Sequence, residues 1–455
     1  MKSDIVKDLF EKRQNLVTIS IISFTFLLFC DNFLSSSLDV MSDIVKNQAG
    51  LILFAFILIV SIIFSYLVLE SIFELLEKKR SIFSKHKKVF RIMQITLYSL
   101  SLLLLADLLS DQKYYTINLN LIVLVSYGFS LSISLLASLK LFSWYRVNRS
   151  KFVILFGLTL FFIFINSVLS LFLFEVLLIE KPSEFDMSTP NIFDFECDEN
   201  TINCILKENL LLLQNYSLVI YFVLFWVCTI LLLHHHINKV GKVKFFALVA
   251  LPIILFYFQF VYTYEDFFTI SDELRFDENI AFAIQLFIAT LLTAACGILF
   301  GWGLLSIANL LKISVRVERF LKIAAIGVVT FFISANATVA SGGMPPFGVP
   351  NLVFLPFSLI LIYVGVFYSI TSIANDISIK KFIKNSTFNE LKIMGNLAES
   401  QMLDDMKLRV LNMTKKFSNE LQEKSNLEES SSEDNMKDYL NDVIDIYAKQ
   451  KKNQI

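Results

Sequence analysis

The chain has 455 residues, a formal net charge of −1 and a hydrophobic content of 55%, against only 18% charged residues. Too few polar groups are present to cover the surface of a soluble globular protein, so the composition excludes an ordinary soluble domain. Apolar runs of about twenty residues recur, which is the length that crosses the hydrocarbon core of a bilayer. These features predict an all-α polytopic transmembrane helix bundle.

Ten apolar segments predict ten transmembrane helices within residues 1–375. No small-residue cleavage site follows the first segment, so we interpret it as a retained span and not as a signal peptide. The segments cover residues 15–34, 50–70, 91–110, 119–140, 152–179, 210–233, 245–264, 280–311, 321–340 and 351–375.

Lysine and arginine are sorted between the two ends of these segments. The N-terminal stretch and the connections at 78–91, 140–151, 239–244 and 312–322 are rich in these basic residues, whereas the alternate connections carry very few. Because basic residues are retained on the cytoplasmic side, this pattern places both termini in the cytoplasm. We expect a multi-pass protein whose surroundings are the lipid bilayer of the cell membrane.

The connections predicted to face outward are acidic. Residues 180–209 and 265–279 contain most of the Asp and Glu found outside the spans and the tail. One interpretation is simple avoidance of positive charge on this side, which needs no ligand. The other is an electrostatic collector for cations.

Two of the five cysteines, Cys197 and Cys204, lie in the first acidic connection. If this connection is extracellular it is in an oxidising compartment, so we predict a disulfide between them. A thiolate metal site is not expected, because neither cysteine has a neighbouring histidine. The remaining cysteines lie in apolar segments and are interpreted as packing residues.

Three acidic residues, Asp31, Asp107 and Glu175, lie inside predicted spans. An ionisable group at membrane depth suggests a functional role. All three lie toward the outer ends of their segments, however, where a side chain can reach the interface. Both interpretations stay open from the sequence.

The last two spans are joined by the uncharged stretch SGGMPPFGVPN, residues 341–351. Glycine readily ends a helix, and proline imposes an extended turn and suits the first turn of a new helix. The sequence predicts either a stiff hairpin that clamps the two spans or a ligand-contacting lid on the outer face. The outer hairpin residues are Gly342, Gly343, Pro345, Pro346, Phe347 and Gly348.

Residues 316–424 contain MPPFG, then IYVGVFYSITSIANDISIKKFI, then LAESQMLDDMKLRVLNMTKKF. This quarter of the chain resembles a family of multi-pass membrane proteins of ammonia-oxidising archaea, in which a PPFG turn precedes a span and a polar cytoplasmic helix. The match does not extend to the first half of the chain. The resemblance implies an archaeal cell membrane and no particular activity.

The tail after the last span is polar and is predicted to be helical and cytoplasmic. We divide it into a stalk at 376–424, a linker at 425–435 and an amphipathic helix at 436–455. Apolar residues at spacings of three and four predict a short coiled-coil seam in the stalk. It would associate with a second copy or with a cytoplasmic protein, or pack on the chain's own loops. The seam residues are Leu403, Met406, Val410, Met413 and Phe417.

No motif of a hydrolase, a metalloprotease or a nucleotide-binding protein is present. We therefore expect no enzymatic activity, no cofactor, no metal and no nucleic-acid partner. Two functional classes compete. The first is a receptor, sensor or scaffold with acidic outer loops and an associating tail. The alternative is a transporter or channel for a small cation or solute.

Overall fold

The structure is a computed structural model. It describes residues 20, 22–35, 48–77, 83–147, 151–179, 184–186, 202–234, 242–261, 291, 293–306, 308, 315–335, 346–375, 398 and 401–402.

These residues are almost entirely helical, which confirms the predicted fold class. Six helices, α2 to α6 and α10, are long and apolar enough to cross a membrane. The ten-span count and the cytoplasmic position of the termini stay predictions. The helices are α1 (Ile22–Ser35), α2 (Gln48–Glu77), α3 (Phe83–Asp111), α4 (Thr116–Val147), α5 (Lys151–Ile179), α6 (Ile202–Leu233), α7 (Lys242–Val261), α8 (Thr293–Ser306), α9 (Val315–Ser334) and α10 (Val349–Asn375).

A small antiparallel ladder was not predicted. Strand β1 (Lys113–Tyr115), between α3 and α4, pairs with β2 (Glu184–Asp186), which follows α5. Tyr114 of β1 is buried, and this burial raises the pKa of its hydroxyl, which therefore stays protonated. The ladder ties together two connections at the same end of the bundle.

Helix α10 is the centre of the bundle and is far more buried than the other five long helices. Aromatic contacts surround it. Phe24 of α1 and Tyr98 of α3 both pack against Phe354, and Trp144 of α4 stacks on Phe367. Because α10 is apolar on nearly every face, it can be enclosed by other apolar helices on all sides. The remaining helices are therefore arranged around the last one.

Glycine allows α9 and α10 to approach each other closely. A Cβ atom on Gly365 would lie 2.5 Å from the Ala324 amide nitrogen, and one on Gly327 would lie 2.7 Å from the Ile362 nitrogen. Gly297 and Gly301 of α8 also lie against α9. Small residues in membrane helices permit such backbone contact, which maximises dispersion attraction.

Pro356 lies inside α10 and removes one backbone hydrogen bond, the one that the Leu352 carbonyl would accept. The hydroxyl of Ser126 in α4 donates to that same carbonyl. The Trp226 indole donates at 2.9 Å to the Val249 carbonyl, which lies three residues before Pro252 of α7. Neighbouring side chains thus satisfy backbone groups near the prolines, as a low-dielectric environment requires.

We predict that Gly365→Ala lowers the free energy of unfolding by about 1–3 kcal/mol, because the new methyl group meets backbone atoms that cannot move aside. Gly128→Ala is the matched control, since a Cβ there has nothing within 4 Å. The control should be neutral or slightly stabilising. Thermal unfolding of the purified protein in detergent, followed by tryptophan fluorescence, separates the two; equal midpoints would contradict the close α9–α10 contact.

We also predict energetic coupling between Ser126 and Pro356. In the parent protein, Ser126→Ala leaves the buried Leu352 carbonyl without its donor and should cost about 1–3 kcal/mol. In the Pro356→Ala background the helix supplies its own N–H, so the same substitution should cost much less. A double-mutant cycle on unfolding free energies measures this difference. Additive effects would show that the hydroxyl does not replace the missing N–H.

Candidate functional site

The C-terminal end of α1, which the sequence predicts to be its outer end, presents a buried carboxylate to the start of α10. Asp31 is fully buried. Its Oδ1 accepts a hydrogen bond from the Gly348 amide at 3.1 Å. Its Oδ2 accepts from the Asn351 amide at 3.3 Å and from Asn351 Nδ2 at 2.7 Å. Three N–H donors therefore converge on one carboxylate from a helix more than 300 residues away in sequence.

This carboxylate acts as the N-terminal cap of α10. The first amides of a helix have no partner within the helix. Here Gly348 and Asn351 donate to Asp31, Val349 donates to the Pro346 carbonyl at 3.3 Å, and Pro350 has no N–H to satisfy. The positive end of the helix dipole also stabilises the negative charge. Every first-turn donor is accounted for.

The turn that precedes this cap requires a glycine. Gly348 has a φ of 92°, a backbone conformation that residues with a side chain rarely adopt. The preceding Phe347 is fully buried, with its ring edge-on to Phe54 of α2 at a centroid distance of 5.6 Å. The geometry thus directs the Gly348 amide at Asp31 and the phenyl ring into the core.

Two further polar residues of α1 extend this contact. Asn32 Nδ2 donates to the Ile333 carbonyl in the last turn of α9 at 3.3 Å, and Ser35 Oγ donates to the Phe347 carbonyl at 3.2 Å. Asn351 Nδ2 also donates to the Leu28 carbonyl at 3.0 Å. We call Asp31, Asn32, Ser35, Gly348 and Asn351 the outer cap. It joins the first helix of the described chain to the last two.

The structure narrows the interpretation of Asp31, because its side chain is fully buried against α10 and does not reach the protein surface. Phe347 is also fully buried. Pro346, Phe347 and Gly348 form the turn into α10, and the alternatives of a clamp or a ligand-contacting lid both stay predictions. Gly342, Gly343 and Pro345 lie outside the described residues, so their part in the hairpin stays a prediction.

The other two intramembrane acids do not join this site. Asp107 accepts a hydrogen bond from Asn118 Nδ2 at 2.6 Å, and Glu175 accepts one from Asn120 Nδ2 at 3.3 Å. Both acids are half-buried and both bind the beginning of α4. They brace α3 and α5 against α4, whereas Asp31 binds α10.

At the opposite end of α10, the tail contacts the bundle. Trp144 of α4 is buried and stacks on Phe367 with a centroid distance of 6.0 Å. Its Nε1 donates to Gln401 Oε1 at 3.0 Å, and Ala398 nearby in the tail is fully buried. The side chain of Lys140 places its ammonium 5.6 Å from the Trp144 ring centroid. We call Trp144, Phe367 and Gln401 the tail contact.

Several predicted features lie beyond the structure's described part. Cys197 is outside it, and Cys204 lies in the first turn of α6 with its side chain undescribed, so the disulfide stays a prediction. The acidic connection around Cys197 is also outside it. The same holds for all five seam residues of the stalk, namely Leu403, Met406, Val410, Met413 and Phe417. Within the described residues, no cluster of His, Cys, Asp and Glu could hold a metal ion.

We predict that Asp31→Ala lowers the unfolding free energy by about 3 kcal/mol, because it leaves three buried donors without an acceptor. Asp31→Asn should cost less, since it retains one acceptor oxygen. Asp107→Ala, which removes the acceptor of a single half-buried donor, is the control and should cost about 1 kcal/mol or less. Unfolding in mixed micelles measures all three. A loss at Asp31 no larger than that at Asp107 would contradict the cap.

No protein-family model matches the chain, and no curated protein and no solved structure shows significant similarity to it. The resemblance of residues 316–424 to the archaeal membrane family therefore stays a prediction.

Proposed function

We propose that the protein is a non-enzymatic membrane receptor or sensor in which α10 couples the outer face to the cytoplasmic tail. One observation supports this above all: the same buried helix is bound at its outer end by the outer cap and at its inner end by the tail contact. Both sets of contacts are polar or aromatic and geometrically specific.

The proposed mechanism is a movement of α10 between two discrete positions. A ligand or a change at the outer hairpin would weaken the hydrogen bonds from Gly348 and Asn351 to Asp31. Because α10 is continuous from Val349 to Asn375, its inner end would then shift against Trp144 and release Gln401. Two-state elements of this kind convert small displacements into a signal.

The proposal includes the finer parts of the sequence interpretation. We place ten spans in the cell membrane with both termini in the cytoplasm, and the acidic connections outside. The released tail would associate through the stalk seam, with a second copy of the chain or with a cytoplasmic protein. No cofactor is part of the mechanism.

Release of the tail can be measured at Met402, which is half-buried beside Gln401. Met402→Cys would be labelled with a membrane-impermeant maleimide from the cytoplasmic side of inside-out vesicles. In the Asp31→Asn background we expect labelling to be about fivefold faster, because a weaker cap by about 1 kcal/mol shifts the population by that factor. Gln401→Ala, which removes the tail contact directly, sets the maximum rate.

The matched control is Asp107→Asn, which alters a half-buried carboxylate that binds α4 and not α10. It should leave the labelling rate of Met402→Cys unchanged. Equal rates in the Asp31→Asn, Asp107→Asn and parent backgrounds, with Gln401→Ala still fast, would refute coupling through α10.

A transporter or channel is the second candidate, and one observation favours it: Ser61 of α2 and Gln94 of α3 are buried, and their side-chain polar atoms have no hydrogen-bond partner among the described residues. Reconstituted protein that moves a cation or an uncharged solute across liposomes, with no tail association in native membranes, would replace the receptor proposal.

A further inference from the structure

One face of α3 is polar along half of its length. Lys87, Arg91, Gln94, Tyr98 and Ser101 recur at spacings of four and three, which places them on one side of the helix. On the facing side of α2 lie Glu70, Ser65 and Ser61. We call these eight residues the α2–α3 seam. Its residues are buried except at the Lys87, Arg91 and Glu70 end.

Contacts across the seam show the order in which its residues lie from one end to the other. Arg91 pairs with Glu70 at 2.7 Å, and the cationic groups of Arg91 and Lys87 lie 5.5 and 5.6 Å from the Phe73 ring centroid. One turn of α3 deeper are Gln94 and then Tyr98, whose hydroxyl bonds to Ser65 Oγ at 2.5 Å. The ion pair, which is partly exposed, therefore lies at the mouth and the hydroxyl groups lie inside.

Gln94 is the residue that the seam does not satisfy. It is 1% exposed and lies beside the Tyr98 hydroxyl, yet neither Nε2 nor Oε1 has a hydrogen-bond partner of normal geometry among the described residues. Ser61 Oγ is also fully buried and has no hydrogen-bond partner among the described residues. Each unsatisfied buried polar atom costs about 1–3 kcal/mol. A membrane interior offers no bulk water to reduce that cost.

Gln94 also lies near the middle of the bundle. Phe90 contacts Tyr363 and Tyr98 contacts Phe354, so α3 and α10 run antiparallel and Gln94 is level with Ser358. At this depth a charged ligand would lose several kcal/mol of hydration. An anion would be repelled by the free Oε1, and a cation by the free Nε2 hydrogens. A neutral molecule that donates and accepts satisfies both atoms.

We propose that the α2–α3 seam binds a small uncharged molecule that both donates and accepts hydrogen bonds, entering from the cytoplasmic end past Glu70 and Arg91. Water has this chemistry, and so does a small solute bearing a hydroxyl or an amide. The ligand bonds to Nε2 and Oε1 of Gln94. Ser61 lies beyond the Tyr98–Ser65 pair, so a ligand at Gln94 lies between Ser61 and the mouth of the seam. This site does not depend on the proposed receptor function.

Access of aqueous reagents to the seam is the test. Ser61→Cys and Ser65→Cys, each in a background with the native cysteines blocked, would be exposed to a small water-soluble methanethiosulfonate on the cytoplasmic side of inside-out vesicles. The control is Ser138→Cys, because Ser138 is equally buried but lies on α4, where its hydroxyl donates to the Gly157 carbonyl at 3.1 Å. We expect the seam cysteines to react at least about tenfold faster than the control.

Urea and glycerol then distinguish the sources of the ligand. If a solute binds, either compound should slow modification of Ser61→Cys in proportion to its occupancy; if water alone fills the seam, neither will. Gln94→Met, which keeps the volume and removes both hydrogen-bonding atoms, should slow the reaction severalfold in both cases. Met402→Cys serves as the positive control for reagent access.

A dry seam would overturn the proposal. In this outcome, Ser61→Cys and Ser65→Cys react no faster than Ser138→Cys. The result counts when Met402→Cys reacts in the same vesicles and each variant has the same melting temperature as the parent protein. Met402 labelling in the Asp31→Asn background is measured separately. A dry seam would therefore leave the test of coupling through α10 unaffected.

Discussion

The bond between Asp31 and the first turn of α10 is the interaction on which the rest of the bundle depends. A helix that begins inside protein, away from water, has amides that nothing else can satisfy. Asp31 supplies the acceptors, and burial of its charge is tolerated because three donors and a helix dipole surround it. Once this contact is made, α1 is fixed beside α10, and Asn32 and Ser35 fix the end of α9 and the turn before α10 with it.

The central position of α10 explains why its neighbours carry small and hydroxyl-bearing residues. Gly327 and Gly365 bring α9 into backbone contact, and the hydroxyl of Ser126 replaces the amide that Pro356 lacks. Aromatic rings from α1, α3 and α4 fill the space that remains. Neighbouring helices thus contact α10 closely along its length. A displacement of one end of α10 would therefore alter contacts at the other end.

The helices could be predicted from the sequence because each apolar run is long enough to span a bilayer and backbone bonding inside a helix is local. Contacts between neighbouring helices follow a general rule: Asn166 of α5 donates to Ser217 of α6 at 2.8 Å, because a polar side chain inside an apolar span seeks a partner on the next helix. The outer cap was not predictable. Asp31 and Asn351 are 320 residues apart, and no periodicity indicates which buried amide a carboxylate will meet. Asn32, Ser35 and Gln94 were missed for the same reason.

The distance in sequence between Asp31 and its partners has a consequence for biogenesis. The first apolar segment enters the membrane long before the ribosome reaches Gly348, so a nascent chain carries an unmatched carboxylate throughout synthesis of the intervening helices. Among the described helices, α10 is synthesised last, so its contacts can form only after the helices around it have been made. A chain interrupted before that point would leave the Asp31 carboxylate without its donors, and Phe24, Tyr98 and Trp144 without the aromatic partners that α10 provides.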